Sequence, residues 1–256
     1  MISPQSNTSN EVYYQPGKII NQLDGYSYRK YIGQTADGDY ILQDFYDASH
    51  KKMSDPFLVK FIAPLDYPYE LSSYGCSEDV PYEGVYALYA ENGVKKIEYL
   101  FKNEKITKVI IIDELALDPE DDAIFLDAEN LAEGEIINYY NEYIVIYLKN
   151  ILDQPIIRPV FDEHYNIVAN GKVYDPSDYK AEVDSWSHAA YILFDIVNQQ
   201  LSMSEYKFYG VGIDNELRGI FLTEKGYQYF QQKSCNKKIG SLDYPYMPTK
   251  DLVWRY

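Results

Sequence analysis

Between residue 19 and about residue 108, apolar and polar positions alternate in short runs that predict strands. The clearest are YSYRKYI (Tyr26 to Ile32), YILQDFY (Tyr40 to Tyr46), VYALY (Val85 to Tyr89) and VKKIEYLF (Val94 to Phe101). Each is rich in aromatic or β-branched residues, and turn-forming clusters bound them at Asp37-Gly38, Glu91-Asn92-Gly93 and Lys102-Asn103-Glu104. Asn92-Gly93 predicts a two-residue primed hairpin turn, because both residue types tolerate positive φ. Pro64, Pro68 and Pro81, with Gly75 and Cys76 between them, predict a long loop. Residues 1–18, rich in Ser, Asn, Pro and Gln, read as a flexible leader.

Beyond residue 108 the period changes. KVIIID (Lys108 to Asp113) is one more apolar strand, and Asp118-Pro119-Glu120-Asp121 has the N-cap, proline and first-turn acids of a helix start. Ile136, Tyr140, Ile144, Tyr147 and Ile151 then recur at helical spacing, predicting a long helix or a kinked pair. The run from Tyr143 to Tyr147 reads equally as a buried strand. Pro155 and Pro159 interrupt, and NIVANGKVYD predicts a hairpin about Asn170-Gly171. Val183, Trp186, Ala190, Leu193, Val197 and Leu201 form one apolar face of a helix from about Asp178 to Leu201. His188, with Asp184, Tyr191 and Asp195, falls on the other side and reads as part of a solvated stripe. YKFYGVGI and ELRGIFL predict a hairpin with a two-residue turn at Asp214-Asn215. Thr223 caps a short helix to about Gln232, and the tail ending in VWRY is expected to pack back.

The expected fold class is therefore α+β: N-terminal antiparallel β-hairpin repeats, then an α+β region with long helices and a hairpin. The divisions fall at 1–18, 19–113 and 114–256.

Composition narrows the function. The 256 residues are 46% apolar and 25% charged, which is the balance of a folded chain. Forty acidic against 23 basic residues give a formal charge of −17, a field that repels nucleic acid and anionic membrane and attracts a basic protein. No apolar run reaches the length of a spanning helix, and the first residues lack the pattern of a signal peptide. A cytoplasmic location is expected, with a processed, exported N-terminus (periplasmic or lipoprotein-derived) as the alternative. Cys76 and Cys235 make neither a metal motif nor a disulfide framework, so reduced thiols are expected, with a single bridge as the alternative.

The strand-rich part compares with itself. Asp24-Gly25-Tyr26, Asp37-Gly38-Asp39-Tyr40 and Glu83-Gly84-Val85-Tyr86 share an acidic-Gly opening to a tyrosine. Tyr46 to Lys52 and Tyr89 to Lys96 each run from a tyrosine through a polar turn to a Lys-Lys pair. Gly38 and Gly84 lie 46 positions apart, about two units of a 23-residue period. GVYALYAENGVKKIEYLF (Gly84 to Phe101) resembles the MORN-variant hairpin repeat of bacterial antitoxin-like proteins, with the resemblance extending over about residues 24–108. The resemblance implies stacked hairpins and a bacterial immunity protein or antitoxin.

The search for chemistry returns little. His164 beside Asp162 and Glu163 has no second ligand cluster, so no metal or cofactor is expected. No Gly-x-Ser-x-Gly, P-loop or dinucleotide fingerprint occurs, and the chain is expected not to be an enzyme. What stands out is charge: Val109 to Leu148 holds eleven acidic residues and no Lys, Arg or His. Asp113, Glu114, Asp118, Glu120, Asp121, Asp122, Asp127 and Glu129 are the candidate partner-binding residues. Charge reversal at Asp118, Glu120, Asp121 and Asp122 is expected to weaken binding and spare the fold. The expected partner is a cognate toxin or type VI secretion effector with a basic surface, a nuclease being one candidate, bound by a monomer or dimer that occludes its active site. An envelope-associated β-repeat scaffold or adhesion protein is the alternative, and a carboxylate-based hydrolase a third reading.

Overall fold

The computed structural model describes residues 16–23, 27–60, 81–119, 121–179, 184–212, 216–234 and 245–250. Both cysteines, residues 1–15 of the leader and most of the Pro64–Pro81 loop lie outside them. The chain is α+β and forms two compact units: Met1–Val94 with Tyr99–Ile106, and Lys95–Glu98 with Thr107–Tyr256.

In the first unit, β1 (Ile19–Leu23), β2 (Ser27–Gln34), β3 (Tyr40–Tyr46) and β4 (Phe57–Val59) form one antiparallel sheet in sequence order. β5 (Glu83–Tyr89), β6 (Lys95–Lys102) and β7 (Lys105–Ile111) form a second, and the unit boundary runs through β6 and β7. Ile20, Tyr31, Leu42, Phe57 and Val59 make a core cluster, with Tyr40 and Tyr86 packed against it. Many tyrosines here act as ties. Tyr86 Oη donates to Asp44, Tyr46 Oη to the Tyr89 carbonyl and Tyr89 Oη to Asp55. Asp44, 1% exposed, also takes two hydrogen bonds from the Arg29 guanidinium. A buried carboxylate needs such compensation, so this network locks β2, β3 and β5 together.

The turn at Asn92-Gly93 differs from the expected primed form. Gly93 takes φ +88°, Asn92 does not take positive φ, and the Asn92 side chain accepts the Val94 N–H. Gly93 N–H bonds the Ala90 carbonyl and Ala90 N–H the Val94 carbonyl, giving a three-residue loop with a left-handed glycine. The same pair of bonds recurs around Gly38, from Gly38 to Thr35 and from Thr35 to Asp39. In turn geometry Gly38 thus matches Gly93; Gly84 instead lies within β5. Asn170-Gly171, with φ of 53° and 75°, is the primed two-residue turn that its sequence predicts.

The second unit is built around helices. Past β8 (Ile124–Phe125), α1 (Ala128–Asn130), α2 (Ile136–Tyr139) and α3 (Val145–Ile151) are joined by π-helical segments Leu131–Glu135 and Tyr140–Ile144. Gly134, at φ +103°, kinks the first of these, so the kinked alternative describes this stretch. The helix does not start at Asp118-Pro119, which form a turn. Asp127 is the cap, accepting the Glu129 and Asn130 N–H groups.

β9 (Val160–Phe161), β10 (Ile167–Ala169) and β11 (Lys172–Tyr174) form a small sheet, followed by α4 (Ser185–Gln200) capped by Asp184. β12 (Tyr206–Val211) and β13 (Arg218–Thr223) pair from Tyr206–Thr223 to Val211–Arg218, leaving a connection of residues 212–217 that is longer than the expected two-residue turn. Asp214 and Asn215 lie outside the described residues. Thr223 Oγ1 accepts the Gly226 N–H at the start of α5 (Glu224–Ser234), as expected. The tail returns at Tyr246, which exchanges two backbone hydrogen bonds with Gly210.

Four rings from four elements form the centre of this unit. Phe194 of α4 stacks on Phe208 of β12 at 4.6 Å, Phe208 meets Phe221 of β13 at 4.6 Å, and Tyr147 of α3 stacks on Phe221 at 5.2 Å. Aromatic pairs at these spacings add to the burial of their area.

Candidate functional site

The eight candidate acidic residues separate into two groups. Four act inside the fold. Asp113 caps a 3-10 turn by accepting the Leu115 N–H. Glu114 accepts both the N–H and the hydroxyl of Thr223 and lies against Gly226, so it closes the start of α5. Asp127 caps α1. Asp122 sits with its carboxylate 2.6 Å from Lys96 Nζ, the two side chains 4% and 7% exposed. Burial pushes the Asp122 carboxyl above its ordinary range against the pull of the Lys96 ammonium.

Asp118, Asp121 and Glu129 are exposed, and Glu120 lies outside the described residues. Asp118 is joined to Asp122 twice, its N–H donating to the Asp122 carboxylate and its carbonyl accepting the Asp122 N–H. This local turn makes a single helical i+4 bond and does not continue as a helix. Reversing Asp122 with its neighbours would therefore not spare the fold, contrary to the expectation from sequence.

The exposed acidic surface lies further along, on the kinked helix. Glu133, Glu135, Glu142, Asn138, Tyr139 and Tyr143 line an open groove of about 360 Å³. Tyr139 and Tyr143 pack at 5.5 Å, and Tyr143 is 45% exposed. Burial raises the Tyr139 hydroxyl pKa, and Asn130 Nδ2 lies 3.4 Å from that oxygen. The π-helical segments bear on this arrangement. Their wider turn places Tyr140 and Ile144 in the core while Tyr143 and Glu142 stay at the surface. Such segments are often found at functional positions. No ion pair within the chain reaches the three glutamates among the described residues. With no basic residue between 109 and 148, the groove holds concentrated, uncompensated negative charge beside two aromatic rings.

Sequence reasoning counted Glu133, Glu135 and Glu142 in the acidic run but did not single them out. Part of their signal was present: Glu135 and Glu142 are seven positions apart, two helical turns along one face.

His188 is a correction of another kind. It is 3% exposed, not part of a solvated stripe, and packs against the rings of Tyr179 and Tyr191. His164 is exposed beside Glu163, and no His, Cys, Asp and Glu group suited to a metal occurs among the described residues. No helix among them is long and apolar enough to cross a membrane. Comparison with known proteins finds no match to the chain among family models, curated proteins or solved structures.

Proposed function

We propose that this chain is a binding protein that neutralises a basic partner, as a bacterial immunity protein or antitoxin does, by laying the acidic groove of its kinked helix over the partner's functional surface. One observation carries the reading: Glu133, Glu135 and Glu142 flank the Tyr139–Tyr143 pair in a groove whose lining, among the described residues, holds no cation. Carboxylates at that spacing meet lysine and arginine side chains, and they speed encounter by long-range attraction. Tyrosine adds rigid contact area and accepts a guanidinium on its ring face. A toxin that grips nucleic acid needs a cationic cleft, which this groove complements. The hairpin resemblance of the first unit agrees with such a role, and gives that unit the part of scaffold.

The test is capture of the partner by the tagged full chain from its host, with the captured protein then expressed alone and together with this chain. A basic protein that arrests growth alone, is tolerated on co-expression, and is no longer captured when Glu133, Glu135 and Glu142 are changed to lysine supports the reading. Capture that survives those three changes at low salt removes the groove from it, and capture of envelope components only favours a scaffold role.

A further inference from the structure

A second cavity, of about 170 Å³, lies between β11 and α4 and shares no residue with the groove. Its lining includes Lys172, Asp175, Asp178, His188, Tyr191 and Lys250. His188 defines its chemistry. The ring Nε2 lies 3.2 Å from the Asp175 carbonyl oxygen. A carbonyl can only accept, so Nε2 carries a proton, and in the neutral form of an imidazole the other nitrogen, here Nδ1, presents a lone pair. That Nδ1 is buried and has no hydrogen-bond partner among the described residues. Buried polar atoms are nearly always satisfied, so a buried acceptor of this kind calls for an N–H or O–H donor. Tyr179 and Tyr191 pack against the ring at 5.2 and 6.1 Å, so turning it outward would break both contacts.

The charges around the ring are balanced: two ammonium groups and two carboxylates line one small space. Lys172 is fixed by Asp195, 2.6 Å away, and its Nζ lies 4.5 Å over the Tyr174 ring. The Asp175 carboxylate is fixed by the N–H and hydroxyl of Ser177, which hold its pKa below the ordinary range. Lys250 and Asp178 form a 2.9 Å pair whose side chains are 49% and 72% exposed. An exposed pair costs little to open. It therefore offers one charge of each sign to a ligand at the rim, above a floor where the charges are already set.

We propose that this cavity binds a small zwitterion of the α-amino acid class, its carboxylate on Lys250 and its ammonium toward Asp178 and Asp175, with one N–H reaching for His188 Nδ1. A simple anion would face two carboxylates and a simple cation two ammonium groups, whereas a ligand with both charges can turn each toward its opposite. The volume suits it, being well above the roughly 10–15 Å³ that a cavity needs to hold one water.

The test is calorimetric titration of the full chain with glycine, L-alanine and L-serine, with acetate and methylammonium as single-charge probes. Saturable heat from an amino acid, absent with either single-charge probe at the same millimolar concentration, is the expected result. Lys250→Met and Asp178→Asn, both surface changes that leave the fold intact, should each weaken binding roughly tenfold, the loss of one charged contact. His188→Gln, checked for folding by circular dichroism, should weaken it further, and the ¹⁵N resonance of His188 Nδ1 in the unaltered chain should move on titration. Equal binding of acetate or methylammonium would overturn the proposal, as would no saturable heat and no shift of that resonance. In that last case the cavity holds water only.

Discussion

Phe208 lies across Gly219 on the neighbouring strand so closely that a β-carbon at Gly219 would sit 2.0 Å from the ring's Cζ. The ring cannot retreat, because Phe194 and Phe221 close on it from either side at 4.6 Å. Gly219→Ala is therefore expected to destabilise the chain by at least about 2 kcal/mol, as overpacking of a filled core does. Chemical denaturation measures this, and Phe208→Leu in the same chain should recover part of the loss. A Gly219→Ala chain as stable as the original would show that the four rings do not set the packing of the second unit.

The Lys96–Asp122 pair predicts a strong asymmetry between single and double changes. Lys96→Met leaves a carboxylate buried without its cation, and Asp122→Leu strands the ammonium. Either should cost about 3–5 kcal/mol, while the double change to apolar residues should return most of it. The double-mutant cycle is read from unfolding midpoints. Two independent, additive losses would mean that the pair is not coupled.

Tyr140 predicts how the chain fails in alkali. It is fully buried, donates to the Ile157 carbonyl and lies 2.5 Å from Gln200 Nε2. Burial pushes its hydroxyl pKa up to about 12. In the unfolded chain a tyrosine ionises near pH 10, so between those values the unfolded state gives up a proton that the folded state keeps. Stability is thus full below pH 10 and falls as pH rises toward 12, by on the order of 2 kcal/mol from this residue. Tyr140→Phe should cost about 1 kcal/mol at neutral pH for the lost hydrogen bond, and should flatten that part of the alkaline slope. An unchanged slope would assign the alkaline limb to other tyrosines such as Tyr209, which burial also raises to about 12.

Acidic residues near one another in sequence should respond in opposite ways. Changing Glu133, Glu135 and Glu142 to lysine is expected to leave thermal stability nearly unchanged and to abolish capture of a basic partner. Glu114→Ala removes a helix cap and should cost about 1–2 kcal/mol, while the folded protein binds the partner as before. Melting curves and partner affinity measured on both variants separate the two roles. Loss of affinity in Glu114→Ala without loss of stability would place Glu114 in the interface.

Much of the fold was legible from period alone. The spacing of Ile136, Tyr140, Ile144, Tyr147 and Ile151 predicted the buried face of the kinked helix, and the first four are buried while Ile151 is half-buried. The start of that helix was not legible. Asp118-Pro119 has the local chemistry of a helix start, but Asp122 is drawn to Lys96, 26 positions earlier, and no local pattern reports so distant a partner. His188 was misplaced because Asp184, Tyr191 and Asp195, at i−4, i+3 and i+7, are polar or half-polar, while burial came from the Asp175–Tyr179 segment packing on that side of α4. A signal existed: Asp195 is the only charged residue from Ser185 to Gln200, and a helix with so little charge tends to be covered all round. The groove was half-legible, as a run of acids whose members could not be sorted into caps, ion pairs and free surface before their partners were known.

The unit boundary through β6 bears on how such a chain can be inherited or rebuilt. The backbone passes from one unit to the other three times, after Val94, Glu98 and Ile106, so no single cut yields two complete pieces. A fragment beginning at Thr107 would lack Lys96 and carry Asp122 as an uncompensated buried acid. The two units are not interchangeable cassettes. Recombination within this stretch would break both, so the hairpins and the helical part are bound to travel through evolution, and through any engineering scheme, as one exon-like block.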